Sequence, residues 1–324
     1  MIYVACPANI ATGGTELLHQ FYFELKKYTK QVRIFYTGKN VDNPVNSRFL
    51  KYSPEWVQTF SDSCDNVLVF PEVFSHFSRH YSKAKMFCWW LSVDNYLIQR
   101  RERRSSRILR RLDHVISCLI KDDIFTNPRV EHLSQCAYIS DFLKRNGCES
   151  ASLSDYISEQ FIKECDSSIH PQKRDIVLYN PLKGVDFTQK LIKTAKDIEF
   201  VPLENMSPSE IIKILRESKV YIDFGNHPGK DRFPREAALM GCAIITGKRG
   251  SAGNEIDVPI PAAYKIQDKI KNIPLIIFSI EKIFRDFALA SDDFSNYRRL
   301  IVDERHVFEA EVQDFYKKFL TAQH

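Results

Sequence analysis

Residues 223–255, DFGNHPGKDRFPREAALMGCAIITGKRGSAGNE, set charged groups and glycines between two apolar runs. Six of the chain's 11 glycines fall here: Gly225, Gly229, Gly241, Gly247, Gly250 and Gly253. Glycine adopts positive φ and lets a backbone approach a ligand closely, and its neighbours in this stretch are Lys230, Arg232, Arg235, Lys248 and Arg249. Backbone N–H groups and cations in one short segment are what a phosphate-bearing ligand requires. Glu236 adds a carboxylate that can accept two hydrogen bonds from vicinal hydroxyls such as those of a ribose. His227 and Asp231 complete six ionisable groups within ten residues. An ion-pair network is the ordinary alternative, but such networks decorate helix faces, whereas this run holds Pro228, Pro234 and glycine turns at the end of an apolar run.

Two further segments have related chemistry. In PANIATGGTE, Gly13 and Gly14 precede Thr15, an N-cap candidate, so backbone amides would feed a helix N-terminus. A tight turn is the plainer reading of that pair. In NPLKG, Asn180, Lys183 and Gly184 follow an apolar run, and Lys183 could meet a diphosphate as a point charge. WWLSVDNY suggests core packing for Trp89 and a sugar platform from Trp90, Asp94 and Tyr96. No HExxH, DxD or paired His/Asp spacing points to a metal, and none is expected.

The elements that must position these groups alternate. Strands are expected at 2–6, 32–37, 67–72, 85–90, 114–118 and 136–140, then at 175–181, 199–203, 220–225, 242–247 and 262–266, with helical patterns between them. That rhythm predicts parallel βαβ units in two sheets, hence an α/β protein. The loop 226–236 and the loop 247–254 then lie at the carboxyl edge of one sheet, where such folds bind ligands. Three parts are expected: 1–155, 172–290, and helices over 291–324 packing back on the first.

Length and composition narrow the function. The chain has 324 residues, 44% of them hydrophobic, enough to fill two cores. A net charge of +5 fits an anionic ligand and falls short of a dedicated nucleic-acid binder, so no nucleic acid is expected. The eight cysteines show no CxxC and read as buried apolar groups in a reducing compartment. The opening residues lack a signal-peptide pattern, and NIPLIIFSI is too short to span a bilayer, so a cytoplasmic protein is expected. Arg100–Arg111, RRERRSSRILRR, reads as a solvated helix face or as a peripheral contact with the inner face of the plasma membrane.

Four motifs together resemble the GT-B glycosyltransferases, in particular the retaining family that contains many bacterial capsule, O-antigen and mannosyl transferases. They are Gly13-Gly14-Thr15-Glu16; Lys183-Gly184; Glu236 followed by AALMGCAII; and Gly250-Ser251-Ala252-Gly253-Asn254-Glu255. The resemblance covers nearly the whole chain in order. It implies two Rossmann-like domains facing a cleft, with the acceptor side first and the nucleotide-sugar donor side second. By the same resemblance Lys183 would bind the donor diphosphate, Glu236 the ribose, and Gly250, Ser251 and Asn254 the phosphates or sugar. The family's pair of glutamates with seven residues between them is broken, because the position eight before Glu236 is Pro228. His227 or Asp231 would then take over contacts to the donor sugar.

The activity implied is transfer of a sugar from a nucleoside diphosphate to a saccharide or lipid-linked acceptor, with bacterial surface polysaccharide as the setting. Lys183, with Lys230 or Arg232, would meet the charge on the leaving diphosphate, no cofactor or metal being called for. An inverting enzyme would need a base in the first domain, for which Asp94 and Glu72 are candidates; a retaining one would not. A sugar-nucleotide epimerase, a phosphorylase or a non-enzymatic two-domain sugar-binding protein are the alternatives. Sugar, base, linkage and oligomeric state are left open.

Overall fold

The computed structural model describes residues 1–38, 41–103, 123–165 and 172–321. The chain divides into two compact units: Met1–Asp155 with His306–His324, and Tyr156–Arg305.

Unit 1 is built on a seven-stranded parallel sheet. Its strands are β1 (Ile2–Pro7), β2 (Val32–Thr37), β3 (Trp56–Val57), β4 (Val67–Pro71), β5 (Lys85–Trp90), β6 (Val130–Ser134) and β7 (Ser150–Ser152), in the order β3-β2-β1-β4-β5-β6-β7. The central strands read as unbroken apolar runs because both faces are covered; all five residues of β4 are buried. The helix Gly13–Leu25 buries Leu17, Leu18, Phe21 and Leu25. Chain direction along the sheet reverses between β1 and β4, so the loops leaving these two strands diverge and open a crevice at their carboxyl ends. Phe308 and Phe315 of the last long helix, Ser295–Phe315, pack in this unit against Trp89, Phe21 and Phe87.

Unit 2 carries a four-stranded parallel sheet of β8 (Arg174–Tyr179), β9 (Glu199–Pro202), β10 (Ser218–Asp223) and β11 (Ala243–Thr246), in the order β11-β10-β8-β9. Its reversal point lies between β8 and β10. Tyr297 and Ile301 of the last long helix belong to this unit's core, so that one helix, Ser295–Phe315, contributes its first part to unit 2 and its residues from His306 on to unit 1.

Two expected strands are not strands. Residues 136–140 open the helix Ala137–Arg145, whose buried positions Ile139 and Leu143 are spaced as a helix face, not in alternation. Residues 262–266 form a short 3₁₀ turn, Ala262–Tyr264, and a single bridge from Lys265 to Thr246. The strand that fills the place beside β5 is β6, VEHLS, which looks too polar to be internal. His132 is satisfied there because its Nδ1 accepts a hydrogen bond from Trp90 Nε1 at 3.0 Å. The expected strand 114–118 lies outside the described residues, as does most of Arg100–Arg111. Among the described residues no helix is long and apolar enough to cross a membrane.

Candidate functional site

Three loops at the carboxyl edge of the unit 2 sheet are locked together, and two glycines make the first lock. Gly184 sits at φ 60 just after Lys183; a Cβ there would lie 2.6 Å from the Phe224 carbonyl oxygen. Gly225 in turn has room for no side chain, since its Cβ would lie 2.5 Å from that of Lys183. The loop after β8 therefore crosses directly over the loop after β10, at the sheet's reversal point. The turn that delivers Lys183 is set by Asn180, whose Oδ1 accepts from Leu182 N at 3.0 Å. Asn180 is thereby a turn former.

The third loop is fixed through His227. Gly250 holds φ 63, and any Cβ there would overlap the His227 carbonyl, which accepts from Ser251 N at 2.9 Å. Ser251 Oγ donates to the Gly229 carbonyl at 2.6 Å, and Arg249 reaches back to the Phe224 carbonyl at 2.6 Å and to Asp268 at 2.8 Å. Asn254 accepts from Ile256 N through its side chain and from Lys265 Nζ through its carbonyl. Ser251 and Asn254 thus spend their side chains on loop shape, and their backbone is what they can offer a ligand.

At the centre of the crossing is a line of charge. Lys183 Nζ lies 2.6 Å from Asp231 Oδ2, the same oxygen lies 3.2 Å from His227 Nδ1, and His227 Nε2 lies 3.3 Å from Asp223 Oδ1. Asp223 also accepts from Gly225 N at 2.9 Å and from Tyr221 Oη at 3.1 Å. Burial pushes the Asp223 carboxyl up, but the His227 contact, the Gly225 N–H and the Lys183 charge outweigh it and hold the group below the usual carboxylate range. The Tyr221 hydroxyl is pushed well up, by burial first and then by Asp223. Asp223 was missed in the sequence; an acid ending an apolar strand, two residues before a glycine, is the signal that marks it.

Several expected ligand contacts are internal instead. His227 is fully buried, so its ring does not reach a donor sugar. Arg235 is also fully buried and pairs with Glu304 at 2.7 Å, with Lys230 on the other Glu304 oxygen at 2.8 Å. A guanidinium that far from water needs a carboxylate partner, and Arg235 adds bonds to the carbonyls of Lys230 and Asp231. Lys230 and Arg235 accordingly anchor the last long helix. Arg232 lies beside Glu236, with Nε 4.0 Å from Oε1, in the helix Arg232–Leu239 that Asp231 precedes. Lys183 and Arg232 are partly exposed at this edge, and Lys248 and Arg249 of the third loop are exposed there as well.

The corresponding edge of unit 1 holds Gly13, Gly14 and Glu72. Thr12, not Thr15, is the N-cap: its Oγ1 accepts from Thr15 N at 3.3 Å while Thr15 Oγ1 accepts from Thr12 N at 2.8 Å. Gly13 and Gly14 are therefore the first helical residues, and a Cβ on Gly14 would touch Leu91 at 3.6 Å. Leu91 N donates to Glu72 Oε2 at 2.9 Å. Burial pushes the Glu72 carboxyl up to about 7, against the backbone N–H groups of Leu91 and Ser92 and the Asn95 side chain. Asp94 stands in the first turn of the helix Val93–Arg103. Trp90 and Tyr96 are buried among Phe125 and Phe142, so they are core and form no sugar platform.

A cavity of about 540 Å³ lies elsewhere in unit 2, between residues 262–267 and the helix Ile273–Arg285, with Leu275, Phe278 and Leu289 at its wall. It contains neither Gly184 nor Gly225 of the loop crossing, and beside its apolar wall it is lined by Lys248, Lys265 and Lys282.

No family model matches the chain, and no curated protein matches it in sequence. Solved structures do match it in fold. Sucrose-phosphate synthase from Thermosynechococcus elongatus superposes with a TM-score of 0.63 at 11% identity, over 100% of both chains. HepE from Anabaena in complex with UDP-glucose gives 0.60 at 9% identity, over 98% of this chain and 99% of that one. The lipopolysaccharide outer core galactosyltransferase WaaB gives 0.58 at 12%, over 97% and 98%. With parallel sheets of seven and four strands and these glycosyltransferases as structural neighbours, the chain has the GT-B fold.

Proposed function

We propose that this protein transfers a sugar from a nucleoside-diphosphate donor to a saccharide or lipid-linked acceptor. The observation that carries the reading is the Gly184–Gly225 crossing, which puts Lys183 at the reversal point of the unit 2 sheet beside the N-terminus of the helix Arg232–Leu239. A departing diphosphate gains negative charge as the glycosidic bond breaks, so a fixed ammonium beside a helix N-terminus would stabilise the transition state more than the ground state. Arg232 adds a second cation, and Glu236, one helical turn on, is the proposed acceptor for the ribose hydroxyls. That HepE is described in complex with UDP-glucose supports a nucleotide sugar as donor.

In unit 1, Glu72 is the proposed base if the reaction inverts. Its carboxyl, buried and pushed up to about 7, stands at the reversal point of its own sheet. Surface polysaccharide synthesis is the setting we favour, because WaaB is named as a lipopolysaccharide galactosyltransferase. The test is incubation with a panel of UDP-, GDP-, ADP- and CMP-sugars, following release of the nucleotide. Turnover of a nucleoside-diphosphate sugar that falls at least tenfold in Lys183→Ala supports the reading; turnover of none, with or without a saccharide acceptor, sinks it.

A further inference from the structure

Unit 2 has a second opening away from the loop crossing, the cavity of about 540 Å³ between residues 262–267 and the helices Ile273–Arg285 and Phe287–Asp292. Small-molecule pockets are of this size, roughly 300–1,000 Å³. The helix Ile273–Arg285 is apolar on two sides. Ile273, Ile276, Ile280 and Ile283 are spent on the core, whereas Leu275 and Phe278, three residues apart, line the cavity. With Leu289 of the next helix they are between 52% and 70% exposed, so the wall of this cavity leaves apolar surface in water.

Opposite in character is Lys265, which also lines the cavity and is only 6% exposed. Its Nζ donates to the Asn254 carbonyl at 2.9 Å, and among the described residues it makes no other hydrogen bond and no ion pair. An ammonium has three donors, and burying one without an anionic partner is costly. Burial accordingly pushes Lys265 below the usual lysine range against the charges of Glu255 and Asp257, and the neighbouring Lys248 pushes it the same way as burial. Lys248 and Lys265 are thus close enough to repel each other at one cavity. Lys282 is the third lysine there, and the acids are Asp286 and Asp293, the latter accepting from Tyr264 Oη at 2.6 Å. Three lysines against two aspartates leave one positive charge in excess.

We propose that this cavity binds an aliphatic carboxylate, its chain on Leu275, Phe278 and Leu289 and its head group on Lys265 and Lys248. A carboxylate carries one charge, the amount in excess, whereas a phosphate monoester brings up to about two. Two leucines and a single aromatic ring favour a flexible chain over a stacked ring system. Binding is non-covalent, and it places an acceptor between two ammonium groups that otherwise repel. Lys265 holds the Asn254 carbonyl and Lys248 precedes Gly250, so the occupant touches the third loop from the side of residues 262–267.

Isothermal titration of the whole chain with decanoate, kept below its micelle concentration, tests this. Saturable binding is expected, about tenfold or more tighter than that of decyl phosphate, decyltrimethylammonium or acetate. Phe278→Asp, at an exposed position that keeps the fold, should weaken decanoate binding by about tenfold or more. Lys265→Gln, which can still donate to the Asn254 carbonyl, should weaken it to a similar extent. No heat from decanoate up to about 1 mM overturns the proposal, as does binding that neither variant weakens. Equal binding of decyltrimethylammonium overturns it by removing the role of charge, equal binding of acetate by removing that of the chain, and tighter binding of decyl phosphate by reassigning the head group. Sedimentation with phosphatidylglycerol vesicles by a protein that takes up no decanoate overturns it in favour of a membrane contact. None of these results bears on the function proposed above.

Discussion

Lys183 and Asp231 join the loop after β8 to the loop after β10 by an Nζ to Oδ2 contact of 2.6 Å, across a crossing where both Gly184 and Gly225 exclude a side chain. That contact explains how a lysine on a short loop is held at a fixed point above the sheet. Lys183→Ala should weaken nucleoside-diphosphate binding by about tenfold to a hundredfold, the worth of a charge-assisted hydrogen bond, with little change in melting temperature. Calorimetric titration beside a thermal melt separates the two; an unchanged affinity would remove Lys183 from the site.

Much of this site was legible in the sequence. Lys183, Glu236 and the glycine loop follow apolar strands, and strand ends in α/β sheets are ligand edges whatever the family. What could not be read was which cation faces outward. Arg232 and Arg235 look equivalent in DRFPRE, yet helical spacing turns Arg235 inward to Glu304, a partner 69 residues away that no local pattern discloses. His227 was likewise hidden, because its burial follows from Gly250 closing over its carbonyl. In unit 1, Thr12 displaced Thr15 as the cap because glycine is tolerated inside a helix start, and β6 was overlooked because His132 has its partner on another strand.

The Arg235–Glu304 pair is structural, and breaking one side leaves a buried charge. Arg235→Ala should lower stability by about 3 kcal/mol or more, and Glu304→Gln should act in the same direction. Urea unfolding checks this, followed by a signal from unit 2. A loss below about 1 kcal/mol would mean that the guanidinium is not buried as described.

Gly250→Ala should disorganise the loop over His227. A Cβ there meets the His227 carbonyl, and φ 63 is unfavourable for alanine by about 1 kcal/mol even without that overlap. The expected result is a lower melting temperature together with weaker nucleotide binding. Gly38→Ala is the control, because nothing lies within 4 Å of its Cβ and only its φ of 127 is strained. Equal loss of nucleotide binding in both would argue that the loop contact is unimportant.

Glu72 gives a pH signature. Its carboxyl titrates near 4.5 when unfolded and at about 7 when folded, so the folded state holds the proton more firmly. Stability is then fully present below about 4.5 and falls as pH rises through about 7, by about 3 kcal/mol at most. Glu72→Gln keeps an acceptor for Leu91 N and should flatten that slope between pH 5 and 8 in denaturant titrations. A slope unaltered by the substitution would show that Glu72 is ionised throughout.

The most direct test of the central claim is thermal melting of the chain against UDP, GDP, ADP and CDP in turn. One of them, at a hundredfold excess over its Kd, should add about 2.7 kcal/mol of apparent stability, and Lys183→Ala should remove most of that gain. No shift with any of the four, at millimolar concentration, would contradict the assignment of the β8–β10 crossing as a diphosphate site.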